Sequence, residues 1–499
     1  MFLPILSRER PESQPCRCVV KVTRSHFLSV FREKNQRNSQ ACITMWYMLE
    51  ARIKLINREA TMTRTRNALV FSLSALLLCL PSSPVVAAES PAAGDGRDLG
   101  RLVEYALANN PELKASEERW RMTVEKAAQA GVLDDPMLML QLQNGLIRDP
   151  FNLNRDGSTA VVVGLSQTVP YFGKRDLQRQ GAQQDAEADR WRLEERRLEL
   201  RRMVKETWHR IALVDRSREV LEKNIAALDE LMRFSETMYG VGQGQQQDVL
   251  KAQLERSKME DMVIRLQQER SSLLAALNSL LYRPTETALP VLPEIPDVPL
   301  RLDQTELEEL ADKHRPALKA IAAQLDKAAI GRDLAGREFF PDFTFSFEYM
   351  LIEEGEENTG DDMFTASLSF NLPVQRARRH AMAAEAAAGQ RMLLEERNVL
   401  RNQIRREVAD SLAVLERNDR LATLYRDGIL AQAGSVLETT IASYRVGRTD
   451  FMKVLDSRLA LFSLELEHHK AVAEYRMQLA ALEAIVGVQL PQDEPQRKE

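Results

Sequence analysis

Few side chains in this sequence are spaced for covalent or metal chemistry. His468 and His469 are adjacent, and adjacent residues on a helix face different directions. A zinc site draws on ligands three or four apart, or on separate segments. Cys16-x-Cys18 lacks the second pair such a site needs. His209, His314 and His380 are scattered, and Met137, Met139, Met232, Met238 and Met259 read as packing or lumen residues. There is no Walker loop, no dinucleotide-binding glycine fingerprint and no Gly-x-Ser-x-Gly elbow. The expectation is no enzyme, no cofactor and no tightly held metal. What remains is a set of charges beside two glycine-containing turns: Asp248 after Tyr239-Gly-Val-Gly, and Arg448, Asp450, Lys453 and Asp456 after Tyr444-Arg-Val-Gly. Carboxylates there can complement helix dipoles, since Asp248 and Asp450 both fall in a first turn. They can also set the field of a pore.

Those two turns belong to a repeat. Leu113-Lys114-Ala115 recurs as Leu318-Lys319-Ala320, Pro111 as Pro316, Pro136 as Pro341, Tyr239 as Tyr444 and Val249-Leu250 as Val454-Leu455, all at an offset of 205 positions. The reading is one architecture used twice, over 89–283 and 303–490. A linker at 284–302, rich in proline, joins the two as an extended segment.

Each repeat begins with two helices separated by a proline step, at Asn110-Pro111 and at Arg315-Pro316. The hydrophobic period then changes to two. Leu138, Leu140 and Leu142 share one face, as do Val161, Val163 and Leu165; Phe343, Phe345, Phe347 and Tyr349; and Phe364, Ala366, Leu368 and Phe370. This predicts strands at about 137–147, 159–169, 342–352 and 363–372, a length that suits a tilted membrane crossing. Two hairpins are too few for a sandwich or for a closed barrel around a pore. Unpaired edges are not tolerated in lipid, so the strands need partners from other chains.

The rest reads as long helices at about 174–238, 246–281, 375–443 and 451–486. Leu198, Val204, Trp208, Ile211, Leu221, Ile225, Leu228 and Met232 recur near a 3.5-residue spacing among charged residues, which is coiled-coil packing. The first long helix would span about 95 Å.

Residues 62–88 have the layout of a secretory signal peptide: a basic start at Met62, the apolar run Ala68–Leu80 and a small-residue cleavage site at Ala87-Ala88. Residues 1–61 read as an upstream extension from a mis-assigned start, and 491–499 as a polar tail. All four cysteines precede Ala88, so an exported chain would need no disulfides, and cleavage is expected rather than lipid attachment at Cys79. The first 88 residues hold 13 basic and 5 acidic side chains, leaving 55 basic and 68 acidic ones. That acidic remainder argues against nucleic-acid binding.

The two-fold repeat, the two short hairpins and both Tyr-x-x-Gly turns leading into Val-Leu resemble the TolC-type outer-membrane efflux channel family over essentially all of Asp98–Leu490. Gly131-Val-Leu-Asp-Asp-Pro-Met-Leu, with Leu165-Ser-Gln-Thr-Val-Pro-Tyr-Phe-Gly-Lys-Arg, is similar to its heavy-metal (Cus/Czc-like) branch. The resemblance implies a mainly α fold with a small β part. A homotrimer would pool four transmembrane strands per chain into a 12-stranded β-barrel in outer-membrane lipid. Its helices would form a coiled-coil α-barrel across the periplasm. It implies a passive conduit for heavy-metal cations, working with a periplasmic adaptor and an inner-membrane pump of the RND type. By the same resemblance Asp248 and Asp456 match acidic tip positions, Tyr444 a gate tyrosine, and Arg448 a tip partner for Asp248. Lys453 stands where an acidic ring residue often sits, which departs from a two-ring cation filter. Tyr239, Gly242, Gly244 and Gly447 mark turns where an adaptor would dock. Pro170, Tyr171, Phe172, Gly173 and Pro373 mark the membrane boundary, where proline ends a ladder, glycine permits a bend and aromatic rings suit the interface. Multidrug efflux and type I protein secretion share this channel design. A soluble periplasmic coiled-coil scaffold is the reading from another class, and four amphipathic strands argue against it.

Overall fold

The computed structural model describes residues 97–145, 147–148, 158–293, 303–354 and 359–490, all within the compact unit Glu89–Glu499. The segments read as upstream extension (1–61), signal peptide (62–88) and polar tail (491–499) lie outside the described residues.

The first repeat runs α1 (Leu99–Asn109), α2 (Pro111–Gln129), β1 (Met137–Gln143), β2 (Ala160–Val169), α3 (Lys174–Gly240) and α4 (Gln246–Leu280). Asn110 makes the step between α1 and α2. Its Oδ1 accepts from the N–H groups of Glu112 and Leu113 at 2.9 and 3.2 Å, and its Nδ2 donates to Leu280 O at 2.9 Å. One side chain thus caps a helix start and ties it to the end of α4. The second repeat runs α5 (Gln304–His314), α6 (Pro316–Arg337), β3 (Phe343–Ile352), β4 (Met363–Phe370), α7 (Arg376–Leu424), a π-turn (Tyr425–Ile429), α8 (Leu430–Arg445) and α9 (Phe451–Val486).

The long helix expected at 375–443 is therefore interrupted. Its counterpart α3 continues without a break. Pro373 to Tyr444 is two residues longer than Pro170 to Tyr239, and a π-turn accommodates an inserted residue without ending the helix. Strand β1 stops at Gln143 rather than near 147, because Asn144 takes a left-handed φ of 55° that a ladder does not admit. Strand β4 stops at Phe370, two residues short of 372, where the return bond of the ladder is replaced: Asp342 N–H donates to the Asn371 side-chain Oδ1 at 2.7 Å.

The two hairpins are not isolated within the chain. β2 pairs with β3 along its whole length, giving one antiparallel sheet in the order β1-β2-β3-β4. Its register sorts the side chains by face. Leu140, Val163, Tyr349 and Phe364 form one cross-strand row, and Leu138, Leu165, Phe347 and Ala366 the next. On the opposite face, rows of Ser166, Ser346 and Ser367 and of Thr168, Thr344 and Ser369 line up, with Thr168 and Thr344 hydroxyls 3.0 Å apart. Leu138, Leu140, Leu165, Phe345, Phe347, Phe364 and Leu368 are all exposed. Among the described residues nothing covers the apolar face.

The helices bury their apolar stripes in three clusters. The first joins Leu102 and Ala106 to Leu200, Val204 and Ile211 of α3. The second joins Leu307 and Ala311 to Val408, Leu415 and Leu482. The third lies nearer the turns and joins Leu221 and Leu228 of α3, Met259 of α4 and Phe451 and Leu455 of α9, so it draws on both repeats. The start of the linker is pinned rather than free. Leu289 and Leu292 enter the first cluster, and the carboxylate of Asp215 accepts from Arg270 Nε at 2.6 Å and from Leu292 N–H at 3.1 Å.

Candidate functional site

At the strand-to-helix junction, Pro170 closes β2 and cannot extend the ladder. Gly173 (φ 82°) caps α3, a backbone region closed to most side chains. Tyr171 stacks on Phe340 with ring centroids 4.5 Å apart, while Phe172 stands 77% exposed beside it. Pro373 lies just beyond β4, followed by the exposed Val374. Behind the aromatic pair sits Lys174, only 3% exposed. Its Nζ is 3.0 Å from Asp342 Oδ1 and 3.4 Å from Glu338 Oε2. Asp342 also accepts from Tyr171 N–H at 2.8 Å, and its own N–H donates to Asn371 Oδ1 at 2.7 Å. Burial pushes the Asp342 carboxyl up, but the Tyr171 N–H and Lys174 outweigh it and hold the group below the ordinary carboxylate range. One carboxylate thereby fastens the end of β2 and the start of α3 to the start of β3.

At the far end of the helices, the two turns share a hydrogen-bond pattern. Gly242 N–H donates to Tyr239 O and Gln243 N–H to Met238 O, as Gly447 N–H does to Tyr444 O and Arg448 N–H to Ser443 O. Gly242 (φ 74°) and Gly447 (φ 70°) supply the left-handed residue each turn requires. Gly244 N–H adds a bond to Met238 O at 2.9 Å.

The side chains break this symmetry. Tyr444 packs edge-on to Phe234 (5.4 Å) and Phe451 (6.0 Å) against the third cluster. Tyr239 is exposed. Burial, and then the charge of Asp248, push the Tyr444 hydroxyl above its usual range, so Asp248 of the first repeat lies in the field of Tyr444 of the second. Asp450 caps α9, accepting from Lys453 N–H at 2.9 Å. Its counterpart Gln245 makes no side-chain cap. Asp248 and Lys453 occupy the same position in their helices, so the two repeats present opposite charges at one place. Lys453, Asp456 and Arg448 are exposed. Among the described residues, no ion pair joins Asp248 to Arg448 within the chain. Tyr444 and Phe451 pack together, Asp248 is near enough for its charge to act on the Tyr444 hydroxyl, and Arg448, Lys453 and Asp456 lie at the surface.

Among the described residues, no group of three or more His, Cys, Asp or Glu is placed to hold a metal ion, and no helix is long and apolar enough to cross a membrane. The sequence profile described as outer membrane efflux protein matches residues 102–281 and 307–488, one segment in each repeat. This chain belongs to the outer membrane efflux protein family. Efflux channels of this family span the outer membrane into the periplasm, do no covalent chemistry, form trimers and work with adaptor and inner-membrane pump components.

Solved efflux channels share the fold. VceC from Vibrio cholerae is 17% identical, with a TM-score of 0.66 over 79% of this chain and 97% of its own. CusC is 16% identical, with a TM-score of 0.66 over 79% and 93%. MtrE from Neisseria gonorrhoeae, solved in its open state, is 17% identical, with a TM-score of 0.66 over 79% and 90%. No curated protein matches the chain.

Sequence reasoning missed the junction charge. Lys174 is part of the Pro-Tyr-Phe-Gly-Lys-Arg stretch, but nothing local marks it as buried, since its partner Asp342 is 168 residues away. The available signal was Asp342 itself, an acid immediately ahead of an alternating aromatic strand.

Proposed function

We propose that three copies of this chain close their sheets into one twelve-stranded barrel and act as a passive conduit for heavy-metal cations, coupled through an adaptor to an RND-type pump. The observation that carries the channel reading is the sheet: its apolar face is uncovered, and both outer edges lack a ladder partner among the described residues. Lipid can cover the first, and β1 of a neighbouring copy against β4 can pair the second. The metal reading rests on the Gly131–Leu138 and Leu165–Arg175 stretches and on a tip that carries Asp248, Asp450 and Asp456. A susceptibility panel on a strain lacking the gene, with and without complementation, tests it. Sensitivity confined to copper, silver, zinc, cobalt or cadmium is the expected outcome. Sensitivity to dyes and detergents would move the chain to multidrug export, and no phenotype would favour protein secretion.

The tip is the proposed gate, with Asp248, Tyr444, Arg448, Lys453 and Asp456 as its polar residues and the turns at Tyr239–Gly244 and Tyr444–Gly447 as the adaptor contact. Among the described residues Asp248 has no ion-pair partner, and in the closed assembly a cation of the next copy, Arg448 or Lys453, would supply one. Asp248→Ala is therefore expected to raise single-channel conductance severalfold in planar bilayers. An unaltered conductance would remove Asp248 from the gate.

A further inference from the structure

The junction below the sheet spends Lys174 on Asp342 and Glu338 but leaves the next cation, Arg175, unspent. Arg175 Nε donates to Gly131 O at 2.7 Å, a neutral acceptor that does not cancel its charge. Gly131 takes a φ of 75°, and a Cβ there would collide with the carbonyl of Arg175, so the loop and the first turn of α3 are in close contact. Among the described residues Arg175 forms no ion pair, and its two terminal nitrogens bond to nothing and remain open at the surface.

These nitrogens belong to an open pocket of about 330 Å³ between the end of β2, the start of α3 and Gly131. Its charged lining is Arg175, Arg179 and Asp176. Asp176 Oδ1 is 3.2 Å from Arg179 Nη2, so one cation is answered and the lining keeps a charge of about +1. Arg337 adds to it from α6, donating to Phe172 O at 3.2 Å and likewise without a carboxylate partner among the described residues. Asp134 and Asp135 follow Gly131 in sequence but do not line the pocket. The remaining walls are Val169, Tyr171 and the exposed Phe172. Val169 lies four residues from Leu165 on β2 and so on the same, uncovered apolar face.

We propose that this pocket holds the phosphate of a phospholipid headgroup, bound by Arg175 and Arg179, with Phe172 against the glycerol and the first acyl carbons. Guanidinium groups match phosphate oxygens in pairs, and a basic pocket at the edge of a lipid-covered surface is a place for a headgroup. A free phosphate would have no use for the aromatic wall. The second repeat supplies the cation again: Arg378, like Arg175, stands five residues after the proline beyond the strand, exposed and without an ion pair among the described residues. It lacks the aromatic pair and the glycine, so only the first repeat forms the pocket. The inference rests on the sheet being the membrane crossing.

Native mass spectrometry of the full-length protein in detergent, titrated with phosphatidylglycerol, tests it. The pocket is complete within one chain, so retained lipid is counted per chain, while the mass of the assembly in the same spectrum reports separately on the trimer. One saturable lipid per chain is expected, and inorganic phosphate in large excess should leave it in place. Arg175→Gln should raise the half-saturating concentration at least fivefold, and Phe172→Ala, at an exposed position that cannot unsettle the fold, at least twofold. Arg265→Gln, the same charge change on an exposed face of α4, should have no effect. Absence of retained lipid in the wild type, or retention indifferent to Arg175→Gln, would overturn the proposal. Release of the lipid by inorganic phosphate would overturn it too, leaving a phosphate site with no part for the acyl chains.

Discussion

Asp342→Ala is expected to destabilise the protein by about 3 kcal/mol, and Lys174→Met by only about 1 kcal/mol, although both remove the same ion pair. The asymmetry follows from where each charge is left. Lys174 is almost wholly buried, and a buried cation that loses its partner costs about 3–5 kcal/mol. Glu338 remains at 3.4 Å, which puts the loss at the low end. Asp342→Ala also strips the Tyr171 N–H of its acceptor at 2.8 Å. In Lys174→Met the surviving carboxylate is partly open to water and keeps the Tyr171 N–H, while methionine fills the space of the lysine stem. Denaturation midpoints of the detergent-solubilised protein separate the two. Equal losses would mean that the junction is held by packing of Tyr171 on Phe340 rather than by charge.

Acid should weaken the helical body through His209, by about 2–3 kcal/mol per chain between pH 6.5 and pH 4.5. Burial, with help from Arg476 and Lys205, lowers this imidazole from 6.5 to about 3. The unfolded chain then holds the extra proton throughout that window while the folded chain does not. Stability is complete above the unfolded value and falls as pH drops toward the folded one, by about 1.4 kcal/mol per unit. His209→Gln cannot titrate and should lack this component. The decisive quantity is the difference in pH slope of the urea midpoint between wild type and variant, because carboxylates elsewhere titrate in both. A slope unaltered by the substitution would show that His209 is protonated in the folded protein.

The strands and long helices were legible because their signals are local. Phe343, Phe345, Phe347 and Tyr349 alternate in the sequence and do occupy one face of β3, and the Tyr-x-x-Gly pairs mark turns whose hydrogen bonds match. What escaped was set at a distance. Nothing in β2 or β3 alone announces that they pair and merge two hairpins into one sheet, since that register depends on how α3 and α6 pack. The π-turn at Tyr425 takes up an inserted residue, one of the two by which Pro373–Tyr444 exceeds Pro170–Tyr239, and is invisible to a periodicity that tolerates such drift. At the tip, the sequence marked Asp248 and Asp450 as equivalent first-turn acids. The structure separates them: Asp450 is spent on capping α9, while the charge of Asp248 acts on the Tyr444 hydroxyl.

The two open edges of the sheet belong to different repeats, β1 to the first and β4 to the second. In a closed ring every seam would therefore join the first half of one copy to the second half of the next. A chain with a damaged β4 would still offer a sound β1, enter the assembly and leave its neighbour unsealed. Co-expressed with the intact gene at equal dose, such an allele would spoil every ring it joined, and only about one ring in eight would escape it under random mixing of three subunits. In genetic terms, lesions in the edge strands of this gene should be dominant, whereas lesions that prevent the chain from folding at all should be recessive.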